Sequence, residues 1–419
     1  MKVLDKKIVK RLPFWITVIY LLMPVFLAFY HLFIGDNYLD FWFVLTCIFG
    51  GAALANGLIR FWPERKKHKK RILPLCVALV LAFIAMLAAK KQTLAFWGDD
   101  YLHVGWLLYV LLAGFFLNAM QLSKQEVWRV AKVLVVVSAV VCLTTLLSNK
   151  LADALFFSEG YSDAVRRNFP YHGFFFNANH FAYYLTICCI LAAALFLKEK
   201  KWKKVAYAGC FIVLLVAMVF SNTVGGYLGL IVGLILLVIN AIRMDKKQIW
   251  YCVAIVVTIV LTCLIPWQKY PSLVARNVSD AFGGRAIEEG RKVKVTDYGT
   301  GRLEIWQDTL KYISRSPIIG YGGGGLKVLF IQDRKDPDVP HNLFLELAAY
   351  NGIIVAVLVA GFLVWLVING VKGGKKSEAL CYLIPVLVAY LVSAMFGTMT
   401  FFVSPIFAII VGICYSKLV

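Results

Sequence analysis

Two residues of the chain, His341 and Arg302, have side chains suited to group transfer from a phosphorylated compound. His341 lies in PDVPHNLFLELAAYNG, where a polar segment runs into an apolar helix. A histidine with a pKa of about 6.5 can accept a proton from a hydroxyl group at neutral pH. Arg302 lies in TGRLEIWQDTLKYISRSPIIGYG, and a guanidinium can bind a phosphate through two parallel hydrogen bonds. Taken alone, however, His341 fits an ordinary helix-entry histidine at a membrane interface better than a reacting group.

Further polar residues could bind the same compound. Arginines suit a phosphate or diphosphate, whereas the competing interpretation is a basic surface that touches anionic lipid headgroups. Asparagines can donate hydrogen bonds to sugars or phosphates and accept them from sugar hydroxyls. His180, at the start of an apolar helix, is a second and weaker histidine candidate. The predicted substrate-binding residues are Arg166, Arg167, Asn177, Asn179, Arg291 and Asn342.

The segments predicted to lie outside the membrane do not indicate a metal site or a phosphate-binding loop. Asp99 and Asp100 form the nearest acidic pair, and they fit a solvated turn better than a metal site. We therefore predict no metal and no cofactor, which leaves arginines as the groups that could stabilise negative charge on a phosphate. The glycine run YGGGG at 321–325 could bring backbone N–H groups close to an anion. No Lys-Ser/Thr follows it, and a flexible turn after a helix is the favoured interpretation.

The composition predicts a membrane protein. Of the 419 residues, 61% are hydrophobic and 16% are charged, whereas a soluble protein carries about 25% charged residues. All ten cysteines lie in apolar runs, which favours buried thiols over disulfides or metal ligands. We predict an all-α polytopic protein, with residues 1–419 forming one transmembrane domain in contact with membrane lipids.

Twelve apolar stretches are long enough to form transmembrane helices. The apolar run after the basic N-terminal segment is too long for a signal peptide, so it is predicted to be an uncleaved first span. With a cytoplasmic N-terminus, every short loop rich in Lys and Arg falls on the cytoplasmic side, and so does the C-terminus. The net charge of +21 then follows from topology and does not indicate a nucleic-acid partner. The predicted spans are 14–34, 39–59, 72–89, 104–122, 127–147, 180–197, 203–220, 224–242, 248–267, 343–370, 379–396 and 399–415.

Two outer segments, 148–179 and 268–342, are too long for simple turns, and long loops in compact proteins usually carry function. In the second and larger one, apolar residues recur at helical spacing in GRLEIWQDTLKYISR. This pattern predicts an amphipathic helix that lies on the membrane or caps a cavity and ends at Ser316-Pro317. Its predicted apolar face consists of Leu303, Ile305, Trp306, Leu310 and Ile313, with Arg302, Glu304, Asp308 and Lys311 largely elsewhere.

The order of these motifs resembles the C-terminal signature of the O-antigen ligase and O-antigen polymerase superfamily. An arginine opens an amphipathic helix with a tryptophan (GRLEIW), and a Ser-Pro and Gly-Tyr-Gly turn follows (SPIIGYGGG). His-Asn then begins a membrane helix with Leu, Glu and a glycine (HNLFLELAAYNG). The earlier stretch GFFFNANHFAYYL is similar to the Gly-Phe-x-Asn-Pro-Asn segment of the family, with Ala178 in place of the proline.

The resemblance implies a GT-C-like, metal-independent glycosyltransferase on the outer face of the bacterial cytoplasmic membrane, with its site facing the periplasm or the cell exterior. It implies a glycan donor linked to undecaprenyl diphosphate. The acceptor would be a sugar hydroxyl, on lipid A-core for ligases and on another lipid-linked repeat unit for polymerases. The loop arginine of the family matches Arg302 and its essential histidine matches His341. These matches imply a histidine that acts as base or orients the acceptor, arginines on the diphosphate, and inversion at the anomeric carbon.

One segment departs from the family pattern. Many members have Ser-x-Ser-Arg at the start of the span after the Asn-Pro-Asn helix pair, whereas this chain has SNTVGGYLG at 221–229, with no arginine. Either Arg166 or Arg167 supplies the missing charge, or the diphosphate is held differently. The departure favours a polymerase, or a ligase for an acceptor other than lipopolysaccharide.

A transporter, such as a flippase for lipid-linked sugars, is the alternative class. Twelve helices with cytoplasmic termini fit many carriers. Against a carrier, the sequence shows no repeat between halves, no charged residue expected to be buried in the middle of a span, and no paired broken helices. The asymmetric outer loop therefore favours an enzyme.

Overall fold

The computed structural model describes residues 2–26, 38–147, 171–173, 175, 177–269, 301–333, 339–374 and 377–419, together with isolated positions between 270 and 300. Within these residues every regular element is a helix, which confirms the all-α prediction. The helices are α1 (Lys2–Leu21), α2 (Tyr38–Ala88), α3 (Gln92–Trp97), α4 (Trp106–Ala119), α5 (Lys124–Leu147), α6 (Ala178–Lys198), α7 (Lys201–Ser221), α8 (Val224–Met244), α9 (Ile249–Lys269), α10 (Arg302–Arg315), α11 (Gly325–Gln332), α12 (Leu343–Asn351), α13 (Ile353–Gly373), α14 (Glu378–Ala394) and α15 (Ser404–Leu418).

Seven helices in the described part of the chain are long and apolar enough to cross a membrane. They are α2, α5, α6, α7, α8, α9 and α13. Helices α4, α14 and α15 are also apolar but are shorter, with 14, 17 and 15 residues. The described part of the chain is thus all-helical with several candidate spans, while the number twelve stays a prediction.

Helix α2 is one element of 51 residues that contains both the second and the third predicted spans. Phe43 near its start stacks on His103 with ring centroids 3.7 Å apart, and Phe83 near its end packs on Trp106 at 4.8 Å. A straight helix would separate the two phenylalanines by about 60 Å. His103 and Trp106, however, can lie at most about 11 Å apart along the chain. Helix α2 therefore doubles back, and its two internal prolines, which interrupt helical hydrogen bonding, lie between the two arms.

Helix α6 lies at the centre of the bundle. Every residue from His180 to Leu195 is buried, and α5, α7, α8 and α14 pack around the helix. Helix α9 is peripheral, and exposed apolar residues such as Val256, Val260 and Leu264 cover it. Such a face fits contact with lipid chains. In contrast to α9, helix α6 is buried, so its side chains contact other helices of the protein and not lipid.

The basic segments predicted to be cytoplasmic meet at one end of the bundle. His68, from the segment RFWPERKKHKKR, lies 3.0 Å from the hydroxyl of Tyr415 through its Nδ1. Lys417 donates to a carbonyl of the loop between α4 and α5 at 2.9 Å. Lys198, at the end of α6, pairs with Glu378 at 2.7 Å. These contacts agree with a common side for these segments, opposite the N-terminal end of α6.

The predicted tenth span, residues 343–370, is not one helix, so that prediction was wrong. It is divided into α12 and α13 at Gly352, whose φ is 89°. The N–H groups of Tyr321 and Gly322 donate to two carbonyls in the last turn of α12 at 2.9 and 2.8 Å. The first amide of α13 donates to the carbonyl of Pro317 at 2.8 Å. The turn SPIIGYG, in the loop that the sequence predicts to lie outside the membrane, thus supplies the hydrogen bonds that the interrupted helix lacks.

Substitution of Gly352 tests this docking. An ideal Cβ at this residue would lie 1.9 Å from the carbonyl oxygen of Ile318. We expect Gly352→Ala to lower the free energy of unfolding by at least about 2 kcal/mol, because both the positive φ and the close approach exclude a side chain. The measurement is thermal unfolding in detergent. Gly361→Ala, within α13, is the control, since its added methyl meets nothing within 4 Å. Equal melting temperatures for the two variants would contradict the docking.

The predicted amphipathic helix of the outer loop is present as α10 and ends before Ser316-Pro317, as expected. Its buried face differs in part from the prediction. Leu310 is 53% exposed, whereas Asp308 is buried and its carboxylate pairs with Lys311 at 3.1 Å. Helix α10 packs against α12, and its Tyr312 packs on a phenylalanine of α11, so its burial follows protein contacts and not a flat membrane surface.

Candidate functional site

His341 lies immediately before α12 in the left-handed backbone region, with φ of 48°. This conformation is uncommon for histidine, and residues held in it are concentrated at functional sites. Both neighbours of His341 are fixed. The carbonyl of Pro340 accepts a hydrogen bond from Trp306 Nε1 at 2.9 Å, and Asn342 caps α12. The position of His341 is therefore set from both sides.

Asn342 has a structural role in this site. Its Oδ1 accepts from the backbone N–H groups of Phe344 and Leu345 at 3.1 and 3.2 Å, and its Nδ2 donates to the carbonyl of Met395 at 3.1 Å. The residue is only 5% exposed. These contacts position His341, and they occupy both ends of the amide that the sequence assigns to substrate binding.

Arg302 begins α10 and lies beside His341. The hydrogen bond of Trp306 to Pro340 ties this helix to the His341 segment, and the charge of Arg302 acts on both His341 and Tyr183. Burial lowers the pKa of Arg302, but a guanidinium remains charged at neutral pH. The structure thus brings together the two residues that the sequence predicts as catalytic.

The environment of His341 keeps its imidazole neutral. Burial, and then the positive charge of Arg302, lower the pKa of His341 to about 4. A neutral imidazole can accept a hydrogen bond or a proton, although a low pKa makes it a weak base. An anion bound to Arg302 would offset the guanidinium charge and raise the pKa of His341. The pair can therefore orient a hydroxyl in the free site and become more basic when an anionic substrate is bound.

The predicted asparagines Asn177 and Asn179 form the start of α6. The Oδ1 of Asn177 accepts from the backbone N–H of Asn179 at 2.8 Å, which is a helix N-cap. Both residues are partly exposed and precede His180. Their contacts with a sugar or phosphate stay a prediction.

Two residues of α6 complete the site. His180, the weaker candidate from the sequence, is 5% exposed and interacts electrostatically with His341. Tyr183 was not predicted from the sequence. Its hydroxyl donates to the carbonyl of Phe396 at 3.0 Å, and the side chain interacts electrostatically with Arg302. The spacing of His180 and Tyr183 could have indicated that both face the site, because residues three apart lie on the same face of a helix.

The loop from Met395 to Val403, between α14 and α15, forms one wall of the site. Its carbonyls accept from Asn342 and Tyr183, and the ring of Phe402 lies 6.1 Å from that of His180. The loop thus contacts both α6 and the residue that follows His341.

Glu346 holds this loop in place. It is fully buried, and its carboxylate accepts from the hydroxyl of Thr398 at 2.6 Å and from the N–H of Met399 at 2.9 Å. Glu346 lies in the first turn of α12, at the start of the predicted span 343–370 and not at its middle. The carboxylate is engaged inside the protein, which gives Glu346 a structural role.

The glycine run 321–325 is a packed turn. Gly322 and Gly324 have φ of 77° and 68°, and an ideal Cβ at Gly323 would lie 2.4 Å from the carbonyl oxygen of Val104. The N–H of Gly322 is already bonded to α12. These contacts agree with the interpretation as a turn after a helix and not with an anion-binding loop.

Three predicted arginines, Arg166, Arg167 and Arg291, lie outside the described residues, so their roles stay predictions. Within the described ranges, no group of three or more His, Cys, Asp or Glu residues could hold a metal ion.

The lowered pKa of His341 predicts an unusual pH profile for any reaction that needs the neutral imidazole. We expect kcat/KM to stay constant from about pH 8 to pH 5 and to fall by half only near pH 4, because protonation sets in at the lowered pKa. The acid limb of the kcat profile should lie at higher pH than that of kcat/KM, because a bound anionic substrate raises the pKa of His341. Both profiles are measurable with initial rates in detergent. A kcat/KM midpoint near the usual histidine pKa would contradict the buried environment.

Comparison with known proteins agrees with the family recognised from the motifs. The O-antigen ligase family matches residues 208–360, a range that contains Arg302 and His341. The ComP-specific O-oligosaccharyltransferase of Acinetobacter baylyi (strain ATCC 33305 / BD413 / ADP1) is 34% identical over 77 residues. That alignment covers 16% of this chain and only 14% of the length of the relative. Both matches support glycosyltransferase or ligase activity, as predicted. The recognition of the O-antigen ligase superfamily is thereby confirmed over the part of the chain that holds Arg302 and His341.

Proposed function

We propose that the protein is a membrane glycosyltransferase that moves a glycan from an undecaprenyl-diphosphate-linked donor to a hydroxyl group of an acceptor sugar. The observation that carries this proposal is the pairing of a partly buried, neutral His341 with the guanidinium of Arg302. A cation beside a neutral base suits a reaction in which an anionic group leaves while a hydroxyl loses its proton.

The reaction follows from these two groups. The acceptor oxygen attacks the anomeric carbon of the donor, the bond from that carbon to the diphosphate oxygen breaks, and the diphosphate leaves with the electron pair. Arg302 stabilises the negative charge that grows on the leaving oxygen. His341 orients the acceptor hydroxyl and takes its proton. Attack opposite the leaving group inverts the anomeric configuration, and no metal takes part.

The remaining predicted residues have supporting roles in this proposal. Arg166, Arg167 and Arg291 bind the diphosphate, and Asn177 and Asn179 bind sugar or phosphate at the start of α6. Asn342 contributes by its cap and its bond to Met395, which hold His341 in place.

The topology proposed for this reaction has twelve membrane-crossing segments, including both arms of α2, in the bacterial cytoplasmic membrane. Both termini are cytoplasmic, and the site faces the periplasm or the cell exterior. The grouping of the basic segments at the end of the bundle opposite the start of α6 supports this arrangement.

The acceptor class follows from the segment SNTVGGYLG, which lacks the Ser-x-Ser-Arg arginine. We infer a polymerase, with a second lipid-linked repeat unit as acceptor, or a ligase for an acceptor other than lipid A-core. Genes next to this one would distinguish them, since a flippase and glycosyltransferases without lipid A-core enzymes indicate a polymerase.

One observation bears on the carrier alternative, because α12 and α13 form a broken helix of the kind found in transporters. In transporters the free carbonyls at such a break bind ions. Here, carbonyls in the last turn of α12 already accept from Tyr321 and Gly322, which supports a structural break.

Reconstitution tests the proposed function. The protein in lipid nanodiscs is mixed with glycan-bearing undecaprenyl diphosphate and acceptor in the presence of EDTA. We expect an elongated acceptor and released undecaprenyl diphosphate in equal amounts. Donor movement between leaflets of proteoliposomes without any product would indicate a carrier, and product that requires added Mg²⁺ would contradict the metal-independent reaction.

A further inference from the structure

We propose that His180 donates a hydrogen bond to the diphosphate of the donor, within an anion site formed where three helix N-termini meet. This inference rests on the proposed function, which supplies the diphosphate. It adds a substrate-contacting residue from α6, a helix that lies outside the range matched by the O-antigen ligase family.

The three N-termini belong to α10, α12 and α6. Helix α10 begins with Arg302, α12 follows His341, and His180 is the third residue of α6. Trp306 of α10 donates to the carbonyl of Pro340, next to His341, and its ring lies 6.3 Å from that of Phe396. The carbonyl of Phe396 accepts from Tyr183, one turn after His180 in α6, so the three helix ends lie around one site. The N-terminus of a helix carries a partial positive charge, which favours an anion. Side-chain caps already bond first-turn amides of α12 and α6, so these two helix ends contribute their charge more than free N–H groups.

Carboxylates do not cancel this positive field. Glu304, in the first turn of α10, is exposed to solvent. Glu346, in the first turn of α12, is directed into bonds with Thr398 and Met399. Neither α6 nor its cap has an acidic residue in the first turn.

His180 itself indicates a ligand. Its Nδ1 is buried and has no hydrogen-bond partner among the described residues. The rings of Tyr101, Tyr183 and Phe402 lie around it, with centroids 6.0, 6.3 and 6.1 Å from the imidazole. A buried polar nitrogen without a partner is costly, and native proteins rarely retain one without a reason.

The charge of the surroundings identifies the ligand. A second cation is disfavoured beside Arg302 and three helix N-termini, so His180 meets an anion as a neutral N–H donor. A diphosphate offers several anionic oxygens that can contact Arg302 and His180 together. The same chemistry is present in free pyrophosphate and in a polyprenyl diphosphate, and the two must be distinguished by experiment.

The test measures binding of undecaprenyl diphosphate, which has no sugar, to the protein in nanodiscs. We expect His180→Phe, which keeps the ring volume but not the donor, to raise Kd about tenfold, the effect of one hydrogen bond to an anion. His180→Asn, whose amide can replace the Nδ1 donor, should retain most of the affinity. His68→Phe is the control, because His68 lies at the opposite end of the bundle and its Nδ1 already has a partner, the hydroxyl of Tyr415 at 3.0 Å.

A parallel titration with inorganic pyrophosphate separates the headgroup from the lipid. Weaker pyrophosphate binding to His180→Phe would support contact with the diphosphate of either source. Thermal unfolding of each variant shows whether the fold is retained, and His180→Asn keeps the test valid when His180→Phe is unstable.

Three results would overturn the inference. The first is unchanged binding of undecaprenyl diphosphate by His180→Phe. The second is weaker binding only of the glycan-bearing donor, which would move the contact to the sugar. The third is a loss of affinity in a folded His180→Asn as large as that in His180→Phe, which would exclude a donor role for Nδ1. In each case normal transfer by the unaltered protein would leave the proposed function intact, whereas absence of both binding and transfer in that protein would refute the proposed function as well.

Discussion

His341→Ala should lower the rate of glycan transfer by about a thousandfold, within the range typical of removing a general base. In the proposed reaction, the substitution removes the group that orients the acceptor hydroxyl and takes its proton, while Arg302 remains. We therefore expect kcat to fall and donor binding to persist. The measurement is single-turnover release of undecaprenyl diphosphate in nanodiscs.

His103→Ala is a matched control for this variant. His103 also has a left-handed backbone, with φ of 49° against 48° for His341, so alanine meets a similar backbone strain at both positions. His103 stacks on Phe43 and is not placed in the reaction. Transfer by His341→Ala within tenfold of the control would remove His341 from the chemistry.

Arg302→Ala should lower kcat/KM by two to three orders of magnitude, since one preorganised donor to a developing anion contributes about this much. Arg302→Lys should recover only a small part of the kcat/KM that Arg302→Ala loses, because an ammonium cannot form the two parallel hydrogen bonds of a guanidinium. The variant should also move the acid limb of kcat/KM to higher pH, because the charge of Arg302 contributes to the low pKa of His341. Burial, the larger cause, remains and keeps that limb below the usual histidine value.

Arg315→Ala is the control within the same helix. Arg315 is the last residue of α10 and is exposed, with its guanidinium 5.6 Å from the ring centroid of Tyr312. Its removal should leave transfer and the pH profile unchanged. Equal losses in Arg302→Ala and Arg315→Ala would indicate a general effect of charge on the outer loop.

The helices that position Arg302 and His341 were predictable where local signals determine them. The periodic segment before Ser316-Pro317 predicts α10, and its boundaries agree with the structure. The two arms of α2 match two separate apolar runs. The buried face of α10 was less predictable, since Asp308 is covered and Leu310 is exposed as a result of packing against α12.

The break at Gly352 and the contribution of α6 could not be read from hydropathy. Residues 343–370 are apolar throughout, and the partners that satisfy the broken helix come from a segment about thirty residues earlier. Asn351-Gly352 was the local turn signal. His180 and Tyr183 join the site only because α6 packs beside the loop after α14, a long-range arrangement that no local pattern encodes.

Because the loop 268–342 docks into the break between α12 and α13, the loop and these two helices must be exchanged together in any chimera with a relative. A chimera that replaces only residues 268–342 with the loop of a relative would leave the carbonyls of α12 facing a foreign turn. Gly352 would also face a surface that it does not fit. Recombination between relatives is therefore constrained to crossovers before α10 and after α13. An exchange within those limits keeps α10, the turn SPIIGYG and Gly352 together with His341.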